Sequence, residues 1–312
     1  QAEDGIRDRS PSRGLGDVYK RQGGGTQSAV VASLRAPAAA QSETRSVNRF
    51  HAAAADSQWF AVDSLSFSDE APVALAQTWD YARRPLVVYE ADGSTRGVPV
   101  KDSVVVHTGA SVNLPRGVRL STSVPMAVYQ GGEDVVYNGA MLSGPKFAFG
   151  DMLVAGDVRV AGTAASPLRA AVGLRLTLPT GSRTYYMSDS ELCVEPRALV
   201  AGQRGRIEYA AEVSALLRRE TELAGERYGS ELRYAASVGT RFQRRRLLLG
   251  AELLGATALV PNTATGQPAE LGLGVHYALS PDVVLGLGAT AGLMKAVGTP
   301  DQRLFLSASW TP

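Results

Sequence analysis

Cysteine, histidine and lysine are all scarce in this chain of 312 residues. It contains one cysteine, three histidines and four lysines, and its 32 basic residues nearly balance its 30 acidic ones. A single cysteine cannot form an intramolecular disulfide or, by itself, a zinc site. Because the net charge is only +2 and the basic residues are spread along the chain, the sequence argues against nucleic acid as a partner.

Long hydrophobic runs are also lacking. No window of about 18 uncharged, mostly apolar residues occurs, and this argues against a transmembrane helix. The nearest candidate, residues 271–294, is interrupted by Asp282 and contains five glycines. Each glycine would cost a helix roughly 1 kcal/mol relative to alanine.

A regular alternation extends from residue 72 to the C-terminus. About ten residues in which every second side chain is apolar are followed each time by a break rich in Gly, Pro, Asp or Ser, as expected for strands and turns. The clearest example places Leu232, Tyr234 and Val238 on one face and Glu231 and Arg233 on the other. The pattern predicts about twelve strands, at 72–84, 103–114, 117–129, 149–161, 167–179, 191–202, 205–217, 229–242, 246–259, 269–279, 282–293 and 302–310.

Short and long connections alternate as regularly as the strands. An all-β, up-and-down antiparallel barrel of about twelve strands is therefore predicted for residues 71–312, with every long loop at one end. In outer-membrane barrels the short turns face the periplasm and the long loops face outward. The apolar face is smoothly aliphatic, and aromatic residues at strand ends are predicted to lie at the lipid interface. These are Trp79, Tyr81, Tyr209, Phe242, Tyr277 and Trp310.

This interpretation places the protein in the bacterial outer membrane, in contact with lipid. A soluble all-β barrel that binds a ligand is the alternative, because alternation alone does not say which face is inside. The sequence also resembles the barrel region of the outer-membrane protein A family at residues 58–64, 84–89, 178–183 and 309–312. In that family a peptidoglycan-binding domain follows the barrel, so the resemblance implies peptidoglycan as a partner only through a further C-terminal domain.

The residues before the barrel lack helical and strand periodicity. Residues 3–22 resemble the translation of a sequencing adapter, so residues 1–22 are predicted to be non-native, with a disordered native tail as the alternative. Residues 23–40 end in a small-residue pattern typical of a signal-peptidase site and are interpreted as the remnant of an export signal or as an Ala-rich linker. Residues 41–70 are expected to be a periplasmic segment, too short for a plug domain.

The polar face of the barrel carries charges of both signs on neighbouring strands, which permits cross-strand pairing. We expect either a narrow porin-like passage for small polar solutes or a network that fills the lumen of a structural anchor. The sequence predicts no catalytic, cofactor or metal site. The residues predicted to line the lumen are Asp157, Arg159, Arg169, Arg175, Glu191, Glu195, Arg197, Glu208, Glu212, Glu231, Arg233, Arg241, Glu252, Glu270 and His276.

Overall fold

The structure is a computed structural model of the chain. It describes residues 46–67, 73–90, 93–137, 140–142, 147–163, 166–182, 185–223, 226–259 and 267–312. The predicted artefact at 1–22 and the predicted export-signal remnant at 23–40 lie outside these residues. Within the described part of the chain, no helix is long and apolar enough to cross a membrane.

The described residues form seventeen strands, of which twelve build the barrel. The barrel strands are β1 (Val73–Tyr89), β2 (Thr95–Leu114), β3 (Val118–Gly131), β7 (Met152–Ala161), β8 (Leu168–Leu178), β9 (Cys193–Arg204), β10 (Ile207–Leu216), β13 (Glu231–Phe242), β14 (Leu247–Ala258), β15 (Ala269–Ala278), β16 (Val283–Gly292) and β17 (Gln302–Trp310). Five short strands lie in the connections: β4 (Val135–Tyr137), β5 (Ala140–Leu142), β6 (Ala148–Phe149), β11 (Thr221–Leu223) and β12 (Glu226–Tyr228).

The twelve barrel strands form a closed antiparallel ring. Each pairs with its neighbour along the chain, and the last strand closes on the first, with Leu75 opposite Trp310 and Arg83 opposite Gln302. Closure leaves no unpaired sheet edge, which is the condition for a sheet to cross a bilayer. The predicted all-β barrel of twelve strands is confirmed.

Alternation assigns the two faces of this ring without ambiguity. On β15, Leu271 and Leu273 are exposed, whereas Glu270 and His276 on the opposite face are buried. Leu273 reaches 73% exposure, a position that a soluble barrel would place in its core. Most apolar side chains of the strands therefore point outward around the ring, and the charged ones point into the lumen, which favours a lipid environment.

The two ends of the barrel differ in the length of their connections. At one end, here called the turn end, short turns join β2 to β3, β7 to β8, β9 to β10, β13 to β14 and β15 to β16. The opposite end, here called the loop end, carries the longer connections, including the hairpins β4–β5 and β11–β12. In outer-membrane barrels, the turn end corresponds to the periplasmic side.

The hairpin β1–β2 is longer than the sequence indicates. The long loop expected at 85–102 is mostly strand, because β1 continues through Pro85 to Tyr89 and pairs with β2 as far as Thr95. A register shift follows Arg83, and Arg84 has a φ of +53°, so a bulge accommodates the proline within the strand. Trp79, predicted to lie at a strand end, is consequently level with Leu306, midway along β17.

Candidate functional site in the lumen

Fourteen of the fifteen side chains predicted to line the lumen lie on or next to the inner face of a barrel strand. Asp157, Glu195, Arg197, Glu231 and Glu252 are among the most deeply buried of them. Glu191 is the exception, because β9 begins only at Cys193 and Glu191 lies in the preceding connection at the loop end. There its carboxylate accepts a hydrogen bond from the backbone N–H of Arg219 at 3.3 Å.

Residues 46–67, here called the lumen segment, cross the barrel from one end to the other. Val47 donates its N–H to the carbonyl of Tyr186 at the loop end, at 2.9 Å. At the far end, the Phe67 ring lies 4.6 Å from the guanidinium of Arg119, the second residue of β3, beside the turn end. Residues 41–70 are expected from the sequence to lie in the periplasm and to be too short for a plug. The structure places residues 46–67 inside the lumen instead.

Arg119 anchors the lumen segment near the turn end. Its Nη1 donates to Asp56 at 3.0 Å, and its Nη2 donates to Asp63 at 2.6 Å and to Asp157 of β7 at 2.8 Å. Arg197 of β9 completes the cluster by donating to Asp157 at 2.6 Å. Arg119 and Asp157 are fully buried, so these charges depend on one another for the stabilisation that water would otherwise supply.

Two aromatic residues of the lumen segment fill the middle of the barrel. Trp59 lies against Gly250, where an added Cβ would come within 2.5 Å of the indole ring, so this contact requires glycine. Phe60 stacks on Phe305 of β17 with ring centroids 4.9 Å apart. Glu252 of β14 accepts the backbone N–H of Phe60 at 2.9 Å, and it also accepts that of the next residue. The Glu252 carboxylate therefore accepts hydrogen bonds from backbone N–H groups of the lumen segment that have no partner in a β-sheet.

A second cluster of ion pairs holds the lumen segment near the loop end. Arg49 pairs with Glu231, the first residue of β13. Arg233 donates to the carbonyl of Arg49 at 2.6 Å and to the His51 ring at 2.9 Å. Arg175, which the sequence predicts to be a lumen arginine, lies 3.5 Å from the same His51 ring. The lumen segment is thus attached to barrel strands near the loop end and near the turn end.

Other inward charges pair with each other between strands. Arg175 donates to Glu195 at 3.1 Å and to Glu212 at 3.2 Å. Arg303 joins Asp80 of β1 to Glu270 of β15, with distances of 2.7 and 2.9 Å. These contacts form the cross-strand pairs that the alternation of charge permits.

Two small cavities flank residues 48–51 near the loop end. One has a volume of about 70 Å³ and is lined by Arg49, Arg175, Glu195 and Arg233, among others. The other has a volume of about 60 Å³ and extends from His107 to Arg218. Cavities of this size and polarity have room for a few water molecules. With the lumen segment in place, this part of the lumen is packed.

The outward aromatic residues lie where lipid contact is possible. Phe242, Tyr277 and Trp310 are exposed on the outer surface near the turn end. Tyr209, at the same end, donates its hydroxyl to the carbonyl of Pro167 at 2.9 Å. Tyr81 on β1 donates to Asp102 at 2.7 Å. Among the described residues, no three His, Cys, Asp or Glu side chains are grouped as a metal site would require.

Similarity at the level of fold is found among solved structures. No protein-family model matches the sequence, and no curated protein matches it either. The COG4313 outer membrane channel from Pseudomonas putida F1 superposes with a TM-score of 0.58 at 15% identity, covering 78% of this chain and 96% of that one. The NanC porin superposes with a TM-score of 0.51 at 7% identity, covering 77% and 100%. The chain therefore has the fold of outer-membrane β-barrel channels.

Proposed function

We propose that this protein is an outer-membrane channel for small polar solutes whose passage is controlled by the lumen segment. The observation that carries the proposal is a closed ring with an apolar outer surface and a charged inner surface. A charged lumen admits polar solutes and selects among them by charge. The two superposed structures named above are a channel and a porin, which supports this function.

The attachment of the lumen segment is noncovalent, so it can be released without unfolding the barrel. The contacts that hold it are ion pairs, hydrogen bonds, the aromatic contacts of Phe60, and the apolar packing of Trp59, Val62, Leu65 and Phe67 against the barrel. The hydrogen bonds between barrel strands do not involve the segment. Displacement of the segment would expose the inward charges to water and would open a path along the barrel axis.

A structural anchor is the second candidate, and the packed lumen favours it. Filling a barrel with paired charges stiffens it and blocks diffusion, as an anchor needs and a channel does not. The resemblance to the outer-membrane protein A family at residues 58–64 and 309–312 points the same way. That resemblance, and a peptidoglycan partner through a further domain, stay predictions.

Asp56→Asn combined with Asp63→Asn tests the channel function in a liposome swelling assay. Both changes weaken the hold of Arg119 on the lumen segment and leave every strand residue unchanged. A loss of about 1.4 kcal/mol in this attachment would raise the fraction of open barrels about tenfold. We expect the full chain to admit small neutral sugars slowly and the double variant to admit them faster.

Asp134→Asn combined with Asp282→Asn is the matched control, because both aspartates are exposed and lie outside the lumen. Its swelling rate should equal that of the full chain. Barrels that stay impermeable in both the full chain and the lumen-segment variant would favour the anchor over the channel.

A further inference from the structure

The turn end carries a concentration of positive charge, because the fold brings two arginine-containing turns together. Arg204 is the last residue of β9 and Arg206 lies in the β9–β10 turn, while Arg245 and Arg246 lie in the β13–β14 turn. All four side chains are exposed. The two turns are neighbours, because β10 pairs with β13 and the N–H of Arg241 donates to the carbonyl of Arg206 at 2.8 Å. We call these four residues the arginine patch.

The arginine patch is not neutralised by the described residues around it. Glu208, the acidic residue next to it, is engaged by Arg241, whose Nη2 donates to Glu208 at 3.0 Å. Within the described part of the chain, no carboxylate forms an ion pair with any of the four patch guanidiniums. The neighbouring β15–β16 turn adds one acid, Asp282. Four positive charges therefore stay available to an external partner of opposite charge.

The position of the arginine patch indicates which kind of negatively charged partner it binds. Ile207 and Phe242, which border the two turns, are exposed on the apolar outer surface by 51% and 40%. The guanidiniums thus lie immediately beyond the apolar band, at the level of lipid headgroups, where long basic side chains extend from apolar to polar surroundings. Guanidinium binds phosphate oxygens in bidentate geometry, which makes arginine well suited to a phosphate headgroup.

We propose that the arginine patch binds anionic phospholipid headgroups in the leaflet at the turn end, which is the periplasmic leaflet. The turns that carry it are short and do not project from the barrel, so a soluble acidic protein would find little raised surface to contact. This interaction goes beyond the channel function and does not rest on it. A barrel that conducts nothing would still bind these lipids.

Spin-labelled lipids in vesicles test the proposal with the full chain. The protein is reconstituted in phosphatidylcholine, and the immobilised fraction of spin-labelled phosphatidylglycerol is compared with that of spin-labelled phosphatidylcholine. One basic residue near an anionic lipid surface strengthens binding by roughly fivefold. We expect the full chain to prefer phosphatidylglycerol by about fivefold or more, and this preference should decline as salt is added.

The variant carrying R204Q, R206Q, R245Q and R246Q should lose most of this preference. The matched control carries R96Q, K101Q, R219Q and K295Q, which removes the same number of charges from exposed positions at the loop end. Heat-modified migration on gels establishes that both variants fold. The proposal would be overturned if the patch variant preferred phosphatidylglycerol as strongly as the full chain does. It would also be overturned if the control variant lost this preference to the same extent as the patch variant. The proposal would also be overturned if the patch variant kept its preference for phosphatidylglycerol and lost binding to an acidic soluble protein.

Discussion

Replacing residues 46–67 with a flexible Gly/Ser linker of the same length should convert the barrel into a persistently open pore. The lumen segment contributes Trp59, Phe60 and Phe67 to the space inside the ring, and its two aspartates bind the wall through Arg119. Without them, the inward charges are free to hydrate. Because a filled constriction conducts almost no ions, single-channel conductance in planar bilayers should rise on the order of tenfold or more.

The linker keeps the number of residues before β1 and supplies no side chain that could replace the contacts of the lumen segment. Heat-modified gel migration should show that the ring still closes. A linker variant that folds and conducts no better than the full chain would mean that the segment does not control passage.

Arg119→Ala should lower the stability of the barrel more than the replacement of any other single charged residue in the lumen. The change leaves Asp56, Asp63 and Asp157 without their shared guanidinium, and all three carboxylates are buried. Removing one partner of a buried ion pair costs about 3–5 kcal/mol when the remaining charge is uncompensated. Arg197 still pairs with Asp63 and Asp157 in this variant, whereas Asp56 loses the guanidinium that it contacts. The free energy of unfolding, measured by urea titration in detergent, should fall by this amount.

Arg116→Ala is the matched control for this measurement. Arg116 lies in the β2–β3 turn just before Arg119, but its side chain is exposed. Surface substitutions of this kind usually change stability by no more than about 0.5 kcal/mol. Similar losses for the two variants would show that the carboxylate cluster does not depend on Arg119.

The strands could be predicted because their pattern is local. On β13, alternation alone predicts a strand at 229–242, and the structure has Glu231–Phe242. The same pattern assigns Glu231 and Arg233 to the inner face. The extension of β1 could not be predicted in this way, since Pro85 and the left-handed Arg84 resemble a strand end and only pairing with β2 continues the strand.

The lumen segment could not be predicted because its partners are distant in sequence. Asp63 is separated by 56 residues from Arg119, and the contact between Phe60 and Glu252 spans 192 residues. No periodicity marks such a segment, as it forms no regular strand or helix. One signal does exist: Phe50, Trp59, Phe60 and Phe67 are large apolar residues in a stretch without strand or helix periodicity, and they need a surface to pack against.

Photo-crosslinking from within the lumen segment tests the central claim most directly. The photoreactive residue p-benzoylphenylalanine, placed at Phe60 in the full chain, would occupy the position where Phe60 now contacts Phe305, His276 and Gly288. After irradiation in intact cells, mass spectrometry should find crosslinked peptides from β15, β16 or β17. If the residue at position 60 crosslinks only to other proteins, or to no peptide of the barrel, the claim that the lumen segment occupies the lumen is contradicted.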